Sequence, residues 1–254
     1  MRIKAIIGYD GTGYGGLQIQ ENAPTIQAEI EDVIAQLTGV HTRILAAGRT
    51  DAGVHAEGQV IAFDTAWRHP VSDLQRGMNA LLPEQIVVFE LREVEPGFHP
   101  RFGALSRRYQ YTIYRAAVRH PFYGRHSLYV ERPLDVEAMS GAAQCLVGRH
   151  DFLAFGSPPQ GHNSIREVIR ATWSLQEPWL RFDIEANAFL YRMVRMLVGT
   201  MLRVGSGAIT LEQFVQVLET RDRDGAGPAV AAEGLCLKSV AYADGPKTVC
   251  TSVV

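Results

Sequence analysis

Segments of strand and helix character follow one another in a similar order in each half of this chain, and that order restricts the fold more than any other feature. The first half is predicted to run βαββαβ, with strands at Ile3–Tyr9, Arg43–Ala47, Gln59–Asp64 and Ile86–Val94 and helices at Thr25–Leu37 and Val71–Leu82. The second half is predicted to contain strands at Arg108–Tyr114, Val168–Gln176, Leu180–Glu185 and Leu235–Tyr242 and helices at Asp135–Val147, Phe189–Val204 and Leu211–Thr220. Such an order is typical of ferredoxin-like domains. We therefore predict an α+β fold of two ferredoxin-like (RRM-like) halves, residues 1–103 and 104–254, whose antiparallel sheets adjoin with a cleft between them.

Composition excludes several classes of protein. With 254 residues, 46% hydrophobic and 20% charged, the chain can bury a large core and is not disordered. No apolar run approaches the roughly 20 residues that span a bilayer, and the start of the chain resembles a strand and not a signal peptide, so we expect a cytoplasmic protein without membrane contact. The three cysteines are far apart and lack a Cys-x-x-Cys pair, which predicts no disulfide framework and no metal site.

The charge composition leaves a local nucleic-acid site open. The net charge of −2 argues against a protein that coats nucleic acid through its overall field. Only three of the 25 basic residues are lysines, so 22 are arginines, whose planar guanidinium suits phosphates and base edges. A compositional bias is an equally good explanation of this count, so the positions of the arginines must decide.

A glycine-rich loop, Gly11–Gly16, follows the first predicted strand. It matches the G-x-G-x-x-G pattern of dinucleotide-binding proteins, so a nicotinamide enzyme has to be considered. In those proteins the glycines open the helix directly, whereas here Leu17–Pro24 intervenes. We therefore interpret the loop as a close backbone approach to another element or to a ligand, and we predict no cofactor.

A second loop, Gly48–Gly58, joins two predicted strands and is longer than an ordinary hairpin turn. Asp51 lies between small residues, with Arg49 two positions before it and His55 four positions after it. This pattern favours an accessible functional carboxylate. A plain turn in which Asp51 accepts backbone hydrogen bonds is the alternative.

Two basic segments of the second half suggest RNA. Strand alternation places Arg107, Tyr109 and Tyr111 on one face, a combination that can stack on bases and contact phosphates, although tyrosines in strands often only pack. The segment from Phe189 to Arg203 contains no acidic residue, and Arg192, Arg195, Gly199 and Arg203 would share one helix face. Partly buried arginines there need a carboxylate or a phosphate as a partner, unless the face is simply solvated.

Taken together, these segments resemble the tRNA pseudouridine synthase I (TruA) family. The match follows chain order over nearly the whole sequence, and the Gly48–His55 block is its most specific part. The other matching segments are Tyr9–Thr12, Phe98–Phe102, Arg107–Tyr109, His150–Phe152, Phe189–Gly199 and Glu233–Leu235. Gly15-Gly16-Leu17 departs from the family, which usually has an aromatic residue before the position of Gln18.

The resemblance implies that the chain isomerises uridine to pseudouridine at positions 38, 39 and 40 of the tRNA anticodon stem-loop, in a catalytic cleft, as a homodimer. It implies that Asp51 is the catalytic carboxylate, which either attacks the ribose or abstracts its 2′ proton. Arg195 matches the basic partner that keeps this carboxylate ionised, and Tyr109 matches the tyrosine that stacks on the target base. Leu235 matches an apolar pocket residue, and Arg49 the arginine that fills the space left by the flipped base.

Further arginines are expected to line the RNA path, which would make tRNA affinity strongly salt-dependent. The candidates are Arg43, Arg76, Arg101, Arg107, Arg108, Arg192 and Arg203. A non-catalytic tRNA-binding module is the alternative function; it would bind tRNA without changing a uridine and would leave the Asp51 loop unexplained.

Overall fold

A computed structural model describes residues 1–158 and 161–243 and confirms the α+β class. The described residues form ten strands, β1 Arg2–Tyr9, β2 Leu45–Ala46, β3 His55–Asp64, β4 Ile86–Val94, β5 Ala104–Arg115, β6 Leu128–Val130, β7 Gly148–Asp151, β8 Ile165–Gln176, β9 Trp179–Ala186 and β10 Leu235–Tyr242. They also form five α-helices, α1 Ile26–Thr38, α2 Val71–Leu81, α3 Val136–Gln144, α4 Met193–Gly205 and α5 Leu211–Thr220. None of the helices within this described part is long and apolar enough to cross a membrane.

The chain divides into two compact units, and the first comprises residues 1–105 together with the segment 236–243. Its strands lie in the order β4-β1-β3-β10, and β2 also pairs with β3. Helix α1 begins after the Thr25 N-cap, whose hydroxyl accepts the Ala28 amide, and it buries Ile26, Ile30 and Ile34 because residues four apart share one helix face. These side chains and β1 form the core of the first unit.

The last strand belongs to this first unit. Within β10, Cys236 and Leu237 pair in parallel with His55 and Ala56 of β3. Gly58 permits the close approach, since a Cβ there would lie 2.4 Å from the Lys238 carbonyl oxygen. The sequence pattern predicted one continuous half over residues 104–254, whereas the structure groups residues 236–243 with residues 1–105, and residues 244–254 lie outside the described part.

The second unit comprises residues 106–235. Its strands lie in the order β5-β9-β8-β7, with β6 beside β5, and helices α3, α4 and α5 belong to it. Its largest wholly buried side chains are Tyr111, Phe152, Phe155, Phe182 and Phe214. Large apolar side chains at these positions stabilise the unit by removing their surface from water.

Helix α4 begins four residues later than predicted. Tyr191 forms an isolated bridge with Ser157, and Arg192 adopts a left-handed conformation with φ of 63° at the N-cap. The bridge and the left-handed conformation are both incompatible with a helix before Met193. The sequence pattern predicted that Arg192 and Arg195 share one helix face. This prediction is wrong for Arg192, because it lies outside the helix.

Candidate active site

Asp51 lies in a short turn between β2 and β3 of the first unit. The Val54 amide donates to the Asp51 carbonyl at 3.1 Å, and Gly53, with φ of 78°, supplies the left-handed position of the turn. Asp51 is half-buried, and Arg49 is exposed. The described residues offer Arg49 no hydrogen bond or ion pair, so its guanidinium is available to a ligand.

The glycine-rich loop contacts the Asp51 turn through its backbone. A Cβ on Gly11 would lie 2.2 Å from the Val54 carbonyl oxygen, and one on Gly16 would lie 2.6 Å from that of Thr50. The Leu17 amide also donates to the Thr50 carbonyl at 3.1 Å. The expected close backbone approach is thereby confirmed, and its target is the Asp51 turn.

These contacts also explain the glycine pattern without a dinucleotide. Helix α1 starts only at Ile26, ten residues after the last glycine of the loop, so the glycines do not open it. In a dinucleotide site the helix N-terminus would meet the pyrophosphate directly after the glycines.

A buried polar network that no sequence pattern predicted supports the turn. The hydroxyls of Tyr9 and Thr50 are 2.8 Å apart, and the Gln59 amide group donates to the Gly48 carbonyl at 2.9 Å. Burial raises the pKa of the Tyr9 phenol to about 12, so this hydroxyl stays neutral near neutral pH. The network fixes the backbone on both sides of Arg49. The Tyr9–Thr12 segment was recognised as a family match, but nothing in its pattern showed that Tyr9 contacts this turn.

Tyr109 lies on β5 of the second unit, on the face predicted by strand alternation. Its ring packs edge-on against Phe189, with centroids 5.1 Å apart, and only 8% of Tyr109 is exposed. On the opposite face Arg108 forms an ion pair with Asp183, with a shortest N–O distance of 2.6 Å. The alternation is therefore confirmed, and Arg108 points away from the face that carries Tyr109.

Arg195 lies in the first turn of α4, and its Nε–H donates to the Val230 carbonyl at 2.7 Å. One and two turns further on, Gly199 approaches the Pro228 carbonyl, and Arg203 donates to the Gly225 carbonyl at 2.8 Å. This helix face thus lies against the segment 225–230. Of the arginines expected to need a carboxylate or a phosphate, Arg195 and Arg203 each donate to a backbone carbonyl oxygen of this segment.

Leu235 follows a single 3-10 turn, Ala232–Gly234, and is 6% exposed. The Tyr111 hydroxyl donates to the Ala231 carbonyl at 2.8 Å, and a Cβ on Gly234 would lie 2.6 Å from the Tyr111 ring. The Tyr111 side chain therefore positions the backbone that leads to Leu235. This supporting role was also missed, because alternation shows which face Tyr111 occupies but not what it contacts.

The predicted site residues are divided between the two units. The first unit carries Arg49 and Asp51, and the second carries Tyr109, Arg195 and Leu235. Their assembly into one site stays a prediction.

The seven arginines expected along the RNA path differ in their surroundings. Arg43 and Arg76 lie near Glu31 and Asp73, at 4.0 and 2.9 Å, so carboxylates already offset part of their charge, as Asp183 does for Arg108. The other four contact rings or carbonyl oxygens: Arg101 lies over Phe102, Arg192 over Tyr191, Arg107 donates to the Asn187 carbonyl and Arg203 donates to that of Gly225.

Comparison with known proteins defines the class to which this fold and these loops belong. A family model described as tRNA pseudouridine synthase matches residues 5–103 and 142–243, and the chain belongs to this family. The chain is 43% identical over 245 residues to tRNA pseudouridine synthase A of Moorella thermoacetica, covering 94% of this chain and 99% of the relative. It is 42% identical to the protein of the same name from Syntrophomonas wolfei, with 97% and 99% covered, and 41% identical to that of Clostridium kluyveri, with 94% and 99% covered.

Proposed function

We propose that this chain isomerises uridine to pseudouridine at positions 38, 39 and 40 of the tRNA anticodon stem-loop, with Asp51 as the catalytic carboxylate. Membership of the tRNA pseudouridine synthase family supports the reaction class. The observation that carries the assignment of Asp51 is the backbone cradle formed by Gly11 and Gly16. A turn held this closely fixes the direction of its side chain, as a catalytic group requires.

The chemistry needs a carboxylate and no metal or redox group. Asp51 attacks C1′ of the ribose or removes its 2′ proton while the bond between uracil N1 and C1′ breaks. The uracil then turns and C5 bonds to C1′ as the Asp51 ester is displaced or the proton returns to C2′. The C5 proton is lost and N1 is protonated, so the overall change is an isomerisation. Tyr109 stacks on the target base and helps to remove the C5 proton. Arg195 keeps Asp51 ionised, and Leu235 lines the pocket. Arg49 fills the gap left by the flipped base.

The proposal extends to the assembly and location of the protein. We propose a homodimer that acts on tRNA in the cytoplasm. Sedimentation of the purified protein at micromolar concentration tests the dimer.

The decisive experiment maps pseudouridine chemically in an unmodified tRNA transcript incubated with the purified protein and no added cofactor. The wild-type protein should modify positions 38–40, and Asp51→Asn should lower the rate about a thousandfold or more, equivalent to roughly 4 kcal/mol of activation free energy, with tRNA affinity changed less than about threefold. Asp32→Asn, which alters an exposed carboxylate of the same unit, is the matched control and should retain full activity.

Two outcomes would contradict the proposal. A wild-type protein that binds the transcript and leaves every uridine unchanged would establish the non-catalytic tRNA-binding module instead. An Asp51→Asn protein with the wild-type rate would remove Asp51 from the chemistry.

A further inference from the structure

Phe102 presents an apolar ring to solvent on the surface of the first unit. It is 79% exposed, although a phenylalanine of a folded protein is normally buried. It lies in the turn Phe98–Gly103, between β4 and β5. Binding residues lie disproportionately on loops that a rigid scaffold holds in place.

The turn is held by its own hydrogen bonds. The amides of Arg101 and Phe102 both donate to His99 Nδ1, at 3.2 and 3.4 Å, and the Gly103 amide donates to the His99 carbonyl at 2.9 Å. The His99 ring lies 4.3 Å from the Phe102 ring, centroid to centroid. Phe102 is thus supported on one side and open on the other.

Residues of β1 and β10 also hold the turn in place. The Tyr242 hydroxyl donates to the Pro100 carbonyl at 2.8 Å, and the Tyr242 ring lies 5.2 Å from Phe98. Lys4 Nζ lies over both rings, and Arg2 Nε donates to the Phe98 carbonyl at 3.2 Å. The exposed ring is therefore positioned before any ligand binds, which lowers the entropy cost of binding.

The charge around Phe102 fits a polyanion. The Arg101 guanidinium carbon lies 6.0 Å from the centre of the Phe102 ring. The turn Phe98–Gly103 contains Arg101 and His99 but no aspartate or glutamate. A basic turn that carries an exposed aromatic ring favours an RNA partner over an apolar protein surface.

We propose that Phe102 is a stacking platform for an unpaired base of the tRNA substrate, and that Arg101 contacts the adjoining phosphate. This inference goes beyond the catalytic assignment and rests on the proposed function only in taking tRNA as the ligand. Phe102 and Arg101 act here as positioning residues: they hold the RNA and take no part in bond breaking. Aromatic faces accept any base, so the platform contributes affinity and position and not sequence discrimination.

The test measures binding of an unmodified tRNA transcript between 50 and 300 mM KCl, together with KM and kcat for pseudouridine formation. Phe102→Ala and Phe102→Leu should raise Kd and KM roughly 5- to 150-fold, the range for loss of one stacked base, with kcat unchanged. Phe102→Trp should stay within about twofold of the wild type.

The salt dependence separates the ring from the charge. Phe102→Ala and Phe102→Leu should leave the slope of the logarithm of the tRNA association constant against the logarithm of salt concentration unchanged, whereas Arg101→Gln should reduce the size of that slope by about one. Phe89→Ala, which removes a 46% exposed ring beside Glu90, is the matched control and should bind normally.

Several results would overturn the platform. Phe102→Ala binding within twofold of wild type would refute it, as would a fall in kcat without a change in KM. If Phe102→Leu behaves as wild type while Phe102→Ala loses oligomers in sedimentation, the ring contacts protein and not a base. Failure of the catalytic proposal is seen separately, because a wild-type protein that forms no pseudouridine still reports the effect of Phe102 on tRNA affinity.

Discussion

Gly16→Ala tests whether the glycine cradle positions Asp51, the proposed catalytic carboxylate. Gly16 has φ of 102°, so an alanine there is strained by about 1–2 kcal/mol. Its Cβ would lie 2.6 Å from the Thr50 carbonyl oxygen, 0.8 Å inside ordinary contact at 3.4 Å, and relief of such crowding costs about 1–3 kcal/mol. We expect the free energy of unfolding to fall by about 2–5 kcal/mol in urea titrations.

The same substitution should impair catalysis more than binding. Thr50 precedes Asp51, so a shift of nearly 1 Å at the Thr50 carbonyl carries the carboxylate with it. Misplacement of this size lowers kcat roughly 100-fold, whereas the tRNA surface is little changed. Gly13→Ala is the control, because Gly13 has φ of 83° but nothing within 4 Å of a Cβ, and it should lose about 1–2 kcal/mol of stability and keep its kcat. If Gly16→Ala loses stability and keeps the wild-type kcat, the cradle does not position Asp51.

Three other substitutions test the supports of the site. The pKa of Tyr9 is raised from 10.0 to about 12 in the folded protein, so its contribution to stability is intact below pH 10 and is lost as the pH rises towards 12. In urea titrations from pH 8 to 11.5, the free energy of unfolding should therefore fall with pH, and Tyr9→Phe should reduce this fall. Arg195→Lys keeps the charge but removes the Nε–H that donates to Val230, so single-turnover rates should fall at least about tenfold; an unchanged rate would show that charge alone suffices. Gly199→Ala would place a Cβ 2.0 Å from the Pro228 carbonyl oxygen and should lower the free energy of unfolding by about 1–3 kcal/mol. A loss below about 0.5 kcal/mol would mean that the segment 225–230 can move away from helix α4 at little cost.

Local patterns predicted the elements whose signals lie within the element itself. Helix α5 was predicted at its observed bounds, Leu211–Thr220, and the structure shows a capping box of Thr210 and Gln213 at its start. Helix α1 was predicted to within one residue at each end, since apolar residues at helical spacing follow the start signal Pro24-Thr25. The short strand β7, Gly148–Asp151, was missed, since its polar residues show no alternation and it exists through pairing with β8.

The candidate site followed the same division. The Asp51 turn and the close approach of the glycine loop could be predicted from composition and spacing. The contacts of Tyr9 with Thr50 and of Arg195 with Val230 could not, because each joins residues more than 30 positions apart. No local pattern specifies which distant carbonyl or hydroxyl a side chain will meet.

The pairing of β10 with β3 has a consequence for biosynthesis. Cys236 and Leu237 cover the edge of β3 at His55 and Ala56, immediately after the turn that carries Asp51. During translation, the 130 residues of the second unit emerge before this edge can be covered, which at about 5–20 residues per second takes on the order of ten seconds. The nascent protein therefore carries an open β3 edge beside the Asp51 turn until residues 236 and 237 have left the ribosome.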